Sequence, residues 1–141
     1  MDEAEFIPEH AVTAKALAHL FKRAFLKTFI DADGDLVVET DGPRVLVSVD
    51  TDLKLVKFMA LYALNSPPPR EAKRAFADRM NDTMIFCRFS IPQKNDDVLV
   101  ADYFLPFEEG IPVHQIVSAF RLFVRVIPAA VNGCGGEEFL R

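Results

Sequence analysis

The side chains that most readily carry chemistry are few and scattered. Cys87 is the stronger candidate nucleophile, since a thiol beside a histidine can attack an electrophilic carbon. It alternates with Ile85 and Phe89 on one side of a predicted strand, where a cysteine behaves as a small buried hydrophobe. Cys134 lies in a glycine-rich stretch that holds no partner beside it. His10, His19 and His114 have no histidine or cysteine at helical spacing, so a zinc site would need three distant elements to converge. Asp31, Asp33 and Asp35 alternate like the first ligands of a calcium loop. However, Gly34 falls at loop position four instead of six, and Gly42 occupies position twelve, where a bidentate glutamate is needed. An Asp-Gly turn leading into the first strand accounts for the pattern. Glu108 and Glu109 could be imagined as acid and base, but before a helix start they complement its dipole. Gly133, Gly135 and Gly136 neither follow a strand nor open a helix, so they form no phosphate-binding loop. The residues therefore offer no catalytic, cofactor-binding or metal-binding set. Cys87 and His114 are what an enzymatic or small-molecule-sensing alternative would have to use.

The elements that would position these groups fit one domain. A chain of 141 residues, half of them apolar, buries roughly 70% of its unfolded surface, enough for one two-layer core. Thirteen phenylalanines, two tyrosines and no tryptophan make that core Phe-rich. A net charge of −5 argues against general nucleic-acid binding. The predicted helices are nevertheless net positive, a solvated surface or a site for an acidic partner. The longest clean apolar run, Phe58 to Leu64, is far shorter than the ~20 residues of a membrane span. The acidic start Met1-Asp2-Glu3-Ala4-Glu5 is unlike a signal peptide. A cytoplasmic protein with two reduced cysteines is expected.

Residues 1–10 read as a mobile acidic arm unless Phe6 and Ile7 dock. Thr13 is a candidate N-cap for a helix running to Phe29, with Leu17, Leu20, Phe21, Ala24, Phe25 and Thr28 at helical spacing. Gly34 to Leu64 reads as three antiparallel strands. Val45, Val47 and Val49 alternate with Leu46, Ser48 and Asp50, and Asp41-Gly42-Pro43 and Asp50-Thr51-Asp52 supply the turns. The third strand, Leu53 to Leu64, is apolar on both faces, as a central strand or a subunit contact would be, with a helical second half as the alternative. Asn65-Ser66-Pro67-Pro68-Pro69 ends it. A short helix to about Asn81 follows, with Ala72, Ala75, Phe76 and Met80 inward. Thr83 to Ser90 and Asp97 to Leu105 alternate as a fourth and fifth strand. A last helix spans about Ile111 to Ile127, closed by Pro128. Val113, Ile116, Val117, Phe120, Phe123, Val124 and Ile127 form its main stripe, widened by Ala119, Leu122 and Val126. Residues 129–141 read as a frayed tail, leaving an ordered core of about 12–128. The fold expected is α+β, a twisted antiparallel sheet of about five strands under helices, in the order α-β-β-β-α-β-β-α.

Several local words resemble the YbjN family of bacterial sensory transduction regulators, which shares its fold with the small dimeric chaperones of type III secretion. They are DADGDLVVE (Asp31 to Glu39), VLVSVD (Val45 to Asp50), Met80-Asn81 running into IFCRFSI (Ile85 to Ile91), VLVADYFLPFEEGIP (Val98 to Pro112) and AFRLF (Ala119 to Phe123). Gly34 and Asn81 are the distinctive points. The resemblance implies a non-enzymatic regulator or chaperone-like protein, a homodimer that binds polypeptide. The apolar surplus of the third strand and last helix makes Val56, Phe58, Tyr62, Leu122 and Val126 the candidate partner or dimer surface. No cofactor, membrane or nucleic-acid partner is expected.

Overall fold

The computed structural model describes residues 5–141. Residues 1–4 of the acidic arm lie outside it. The elements are β1 (Phe6–Ile7), α1 (Ala14–Arg23), β2 (Lys27–Ile30), β3 (Leu36–Glu39), β4 (Val45–Asp50), β5 (Leu55–Ala63), α2 (Arg70–Thr83), β6 (Arg88–Ser90), β7 (Val98–Pro106), β8 (Ile111–Pro112) and α3 (Val113–Gly133). The chain is one α+β domain. An open antiparallel sheet has six strands in the order β2-β3-β4-β5-β7-β6, and β1 pairs separately with β8.

The first helix ends six residues earlier than its spacing suggests. Thr13 does cap it, its hydroxyl accepting the Ala16 amide at 3.1 Å. At the other end the Phe25 amide donates to the Lys22 carbonyl at 3.0 Å and the Leu26 amide to that of Phe21 at 2.9 Å. This double bond pattern closes a helix with a left-handed residue, usually glycine. Here that residue is Phe25, at φ +65°. Residues 27–30 then form a strand, so the sheet has six strands, not five, and the Asp31–Gly34 turn joins two strands. Gly34, at φ +85°, makes that turn possible.

The three-strand core is as the alternation requires. Val45 pairs with Ala60, Val47 with Phe58 and Val49 with Val56 on one face, while Leu46 pairs with Met59 and Ser48 with Lys57 on the other. Helices α1 and α3 cover the first face. The Phe120 ring lies 4.9 Å from that of Phe21 and 5.4 Å from that of Phe58, which also meets Phe123 at 5.8 Å. The Phe58–Phe120 pair is edge-to-face, a geometry that contributes beyond simple burial.

Helix α2 continues through Thr83, and β6 is correspondingly short. Ile85, expected inward, is fully exposed, whereas Phe89 is buried. On α2 itself, Ala75 faces water and Ala77 is buried instead. The most unexpected core residue is Lys73, 1% exposed, whose ammonium donates to the Asp96 carbonyl at 2.7 Å and the Ser66 carbonyl at 3.3 Å.

Helix α3 begins after Pro112 and runs through Pro128 to Gly133. A proline inside a helix removes one hydrogen bond and costs about 3 kcal/mol; Ala130 and Val131 beyond it are buried, which offsets that loss. The segment expected as a frayed tail is placed against the core. Phe139 stacks on Phe76 at 4.6 Å, and Leu140 bridges Leu64. Phe6 and Ile7 of the arm dock as β1, fastened by the Glu5–Arg23 ion pair at 2.6 Å.

Candidate protein-binding surface

The expected surface residues do not form one surface. Val56 and Phe58 have no exposed area: they point into the α1–α3 side of the sheet and hold the core. Tyr62 is half-buried on that same face, its hydroxyl pKa pushed up to about 12 by burial. Leu122 and Val126 are half-buried on α3, with Val126 packed against the core. The apolar surplus of β5 is therefore used chiefly inward. Its outward half, Met59 and the 46% exposed Leu61, joins Phe29, Val37, Arg44 and Leu46 in a shallow hollow of about 430 Å3 on the uncovered face.

A larger apolar groove, about 710 Å3, lies where the β2–β3 end meets α3. Its floor and walls are Leu26, Phe120, Val124 and Pro128, with Lys27, Glu39, Thr40, Asp41 and Gly42 along the rim. Phe25 stands at its lip, 97% exposed. An exposed aromatic gains nothing from burial, and a left-handed non-glycine residue is strained by about 1–2 kcal/mol. Stability therefore does not explain Phe25, and strain of this kind concentrates at functional positions. Pro128, on the same wall, lies inside α3 and has no N–H to donate to the Val124 carbonyl.

The candidate chemical groups stay apart. Cys87 precedes edge strand β6 and is buried, its thiol pKa pushed up to about 11 by burial and then by the nearby Asp102 carboxylate. That is the reverse of an activated nucleophile. Asp102 is itself held by Arg88 through two bonds, 3.0 and 2.8 Å. His114 lies 3.4 Å from the Ser118 hydroxyl beside α1 residues Leu20 and Arg23, far from β6 in the topology. Among the described residues no three His, Cys, Asp or Glu side chains are grouped to hold a metal ion. Phe25 and the groove are hidden in the sequence because Phe25 continues the apolar spacing of the first helix, and no glycine marks the left-handed residue that ends it.

Comparison with known proteins agrees with this architecture. The family model of YbjN, "Putative bacterial sensory transduction regulator", matches residues 13–135. The crystal structure of YbjN from E. coli, described as "a putative transcription regulator", superposes with a TM-score of 0.73 at 14% identity, covering 90% of this chain and 94% of that one. The structure of the HopA1-SchA chaperone-effector complex contains a chain that superposes with a TM-score of 0.53 at 14% identity, over 88% and 91% of the two chains. No curated protein matches the sequence.

Proposed function

The chain belongs to the YbjN family, and from that premise we propose that it is a non-enzymatic, cytoplasmic regulator or chaperone-like module that binds an extended polypeptide and works as a homodimer. The observation that carries this reading is Phe25, an aromatic ring held out to solvent on a strained backbone at the lip of an apolar groove. An extended apolar segment suits that groove. Its side chains would pack on Leu26, Val124 and Phe25. Support also comes from the chaperone-effector complex among the structural neighbours, whose fold this chain shares. The inert Cys87 thiol and the separation of the remaining groups favour binding over catalysis.

A small-molecule sensor is the second reading, because the groove's volume lies in the ~300–1,000 Å3 range of ligand pockets.

The test is fluorescence anisotropy with apolar-rich peptides tiled from the host proteome, on the wild type and on Phe25→Gly. Glycine relieves the left-handed strain, so the variant should gain about 1 kcal/mol in urea unfolding while its peptide affinity falls at least about tenfold. Unchanged affinity would remove the groove from the binding site. Stabilisation by metabolites with no peptide binding would establish the sensor instead.

A further inference from the structure

The two edges of the six-stranded sheet are finished differently. At β6 the edge is closed: Asn81 bonds both the amide and the carbonyl of Phe89, each at 2.8 Å, and α2 packs alongside. At β2 it is bare. The Asp31 amide donates to the Asp35 carbonyl at 2.9 Å, and Lys27 and Phe29 occupy alternate positions of the same ladder, opposite Glu39 and Val37. Lys27, Phe29 and Asp31 therefore turn their backbone groups toward β3, and Thr28 and Ile30 turn theirs outward. Phe29 is 39% and Ile30 48% exposed, so this edge is apolar as well as unpaired. Such an edge invites another strand.

We propose that β2 pairs antiparallel with β2 of a second copy of this chain about a two-fold axis through Phe29. This names the interface of the homodimer proposed above and rests on that part of the reading. In this register the outward groups of Thr28 meet those of the partner's Ile30, and the reverse, giving four backbone hydrogen bonds. Phe29 faces the partner's Phe29 in a non-hydrogen-bonded pair, with Cα atoms about 4.5 Å apart. Lys27 faces the partner's Asp31, and Asp31 the partner's Lys27.

Charge and hydrogen-bond parity select this register over its neighbours. An axis between two residues would set outward groups against inward ones. An axis through Thr28 would call on the Leu26 amide, already donated to the Phe21 carbonyl, and would leave Lys27 opposite an aromatic ring. An axis through Ile30 would set Asp31 against Phe29. The Asp31 carboxylate uses Oδ1 to accept the Asp33 and Asp35 amides at 3.0 and 2.9 Å, leaving its other oxygen for the lysine. Lys27, its side chain 82% exposed and 3.3 Å from Glu39, can bridge both acids. The apolar outer face of Phe29, Val37, Leu46 and Met59 then becomes continuous across the axis.

The experiment combines light scattering on the eluting protein with directed cross-linking in a Cys134→Ser background. Wild type should be a dimer. Phe29→Cys should form a covalent dimer within minutes of mild oxidation by diamide, because the facing Cα atoms fall within disulfide range of about 4.4–6.8 Å; Leu61→Cys, exposed on the same face, should not. Phe29→Glu, which sets two carboxylates face to face, should raise the dimer dissociation constant at least about tenfold. A wild-type dimer in which Phe29→Cys fails to cross-link, or cross-links no faster than Leu61→Cys, overturns this interface and leaves the homodimer standing elsewhere. A monomeric wild type overturns both.

Discussion

Asn81 satisfies both backbone groups of Phe89: its Nδ2 donates to the Phe89 carbonyl and its Oδ1 accepts the Phe89 amide, each at 2.8 Å. A single helical side chain thus imitates the next strand of the sheet at β6. Removing it as Asn81→Ala leaves a donor and an acceptor unpaired beside α2, which should cost about 1–3 kcal/mol in urea unfolding. Asn81→Leu keeps the bulk of the side chain without either bond and should lose about as much. A Leu variant as stable as the wild type would mean that the amide contributes through packing and not through this pair of bonds. The same variants should aggregate faster on mild heating, because the freed edge becomes a template for pairing.

What the sequence disclosed depended on whether its signal was local. The alternation of Val45, Val47 and Val49, the breaks after Asp50 and before Pro67, and the stripe Ile116–Phe120–Phe123–Ile127 are complete within short windows, and each reappears in the fold. Where a distant partner decides, local spacing misleads. Phe25 ends α1 in a conformation that glycine normally announces, and Thr28 continues the helical spacing, so spacing alone runs the helix through β2. Pro128 reads as a stop, yet the contacts of Ala130 and Val131 carry α3 past it. Phe139 and Leu140 look featureless until Phe76 and Leu64 are beside them. The apolar surplus on β5 is legible in the sequence but its direction is not: Val56 and Phe58 point inward, and the groove at Phe25 lies where the helical spacing conceals a strand.

Lys73 illustrates a polar core contact that no amphipathic pattern reveals. Its ammonium joins α2 to the Ser66 and Asp96 carbonyls, with the Asp97 carboxylate at 3.5 Å, tying the proline junction to the loop before β7. Lys73→Met preserves the length of the stem and removes the donors, leaving carbonyls unpaired in a buried site. The expected loss is about 1–3 kcal/mol, read as a lower urea midpoint with an unchanged slope. Lys73→Arg has the charge but a wider, planar head, and should recover only part of the loss. A neutral Lys73→Met would mean that water replaces the ammonium at no cost.

Cys87 provides a pH-dependent test of the core beside β6. Burial and the Asp102 carboxylate raise its thiol from 9.0 to about 11 in the folded protein, so the folded state keeps its proton where the unfolded chain releases it. The contribution of Cys87 to stability is therefore full below pH 9 and is lost as the pH rises from there through about 11. Cys87→Ala should flatten that fall, at the price of a small cavity. In the native protein at pH 8, iodoacetamide should modify Cys134 and leave Cys87 untouched until urea is added, with mass spectrometry assigning the site. Rapid alkylation of Cys87 in the folded protein would show that the β6 edge opens freely, and would undo the assignment of Asn81 as its latch.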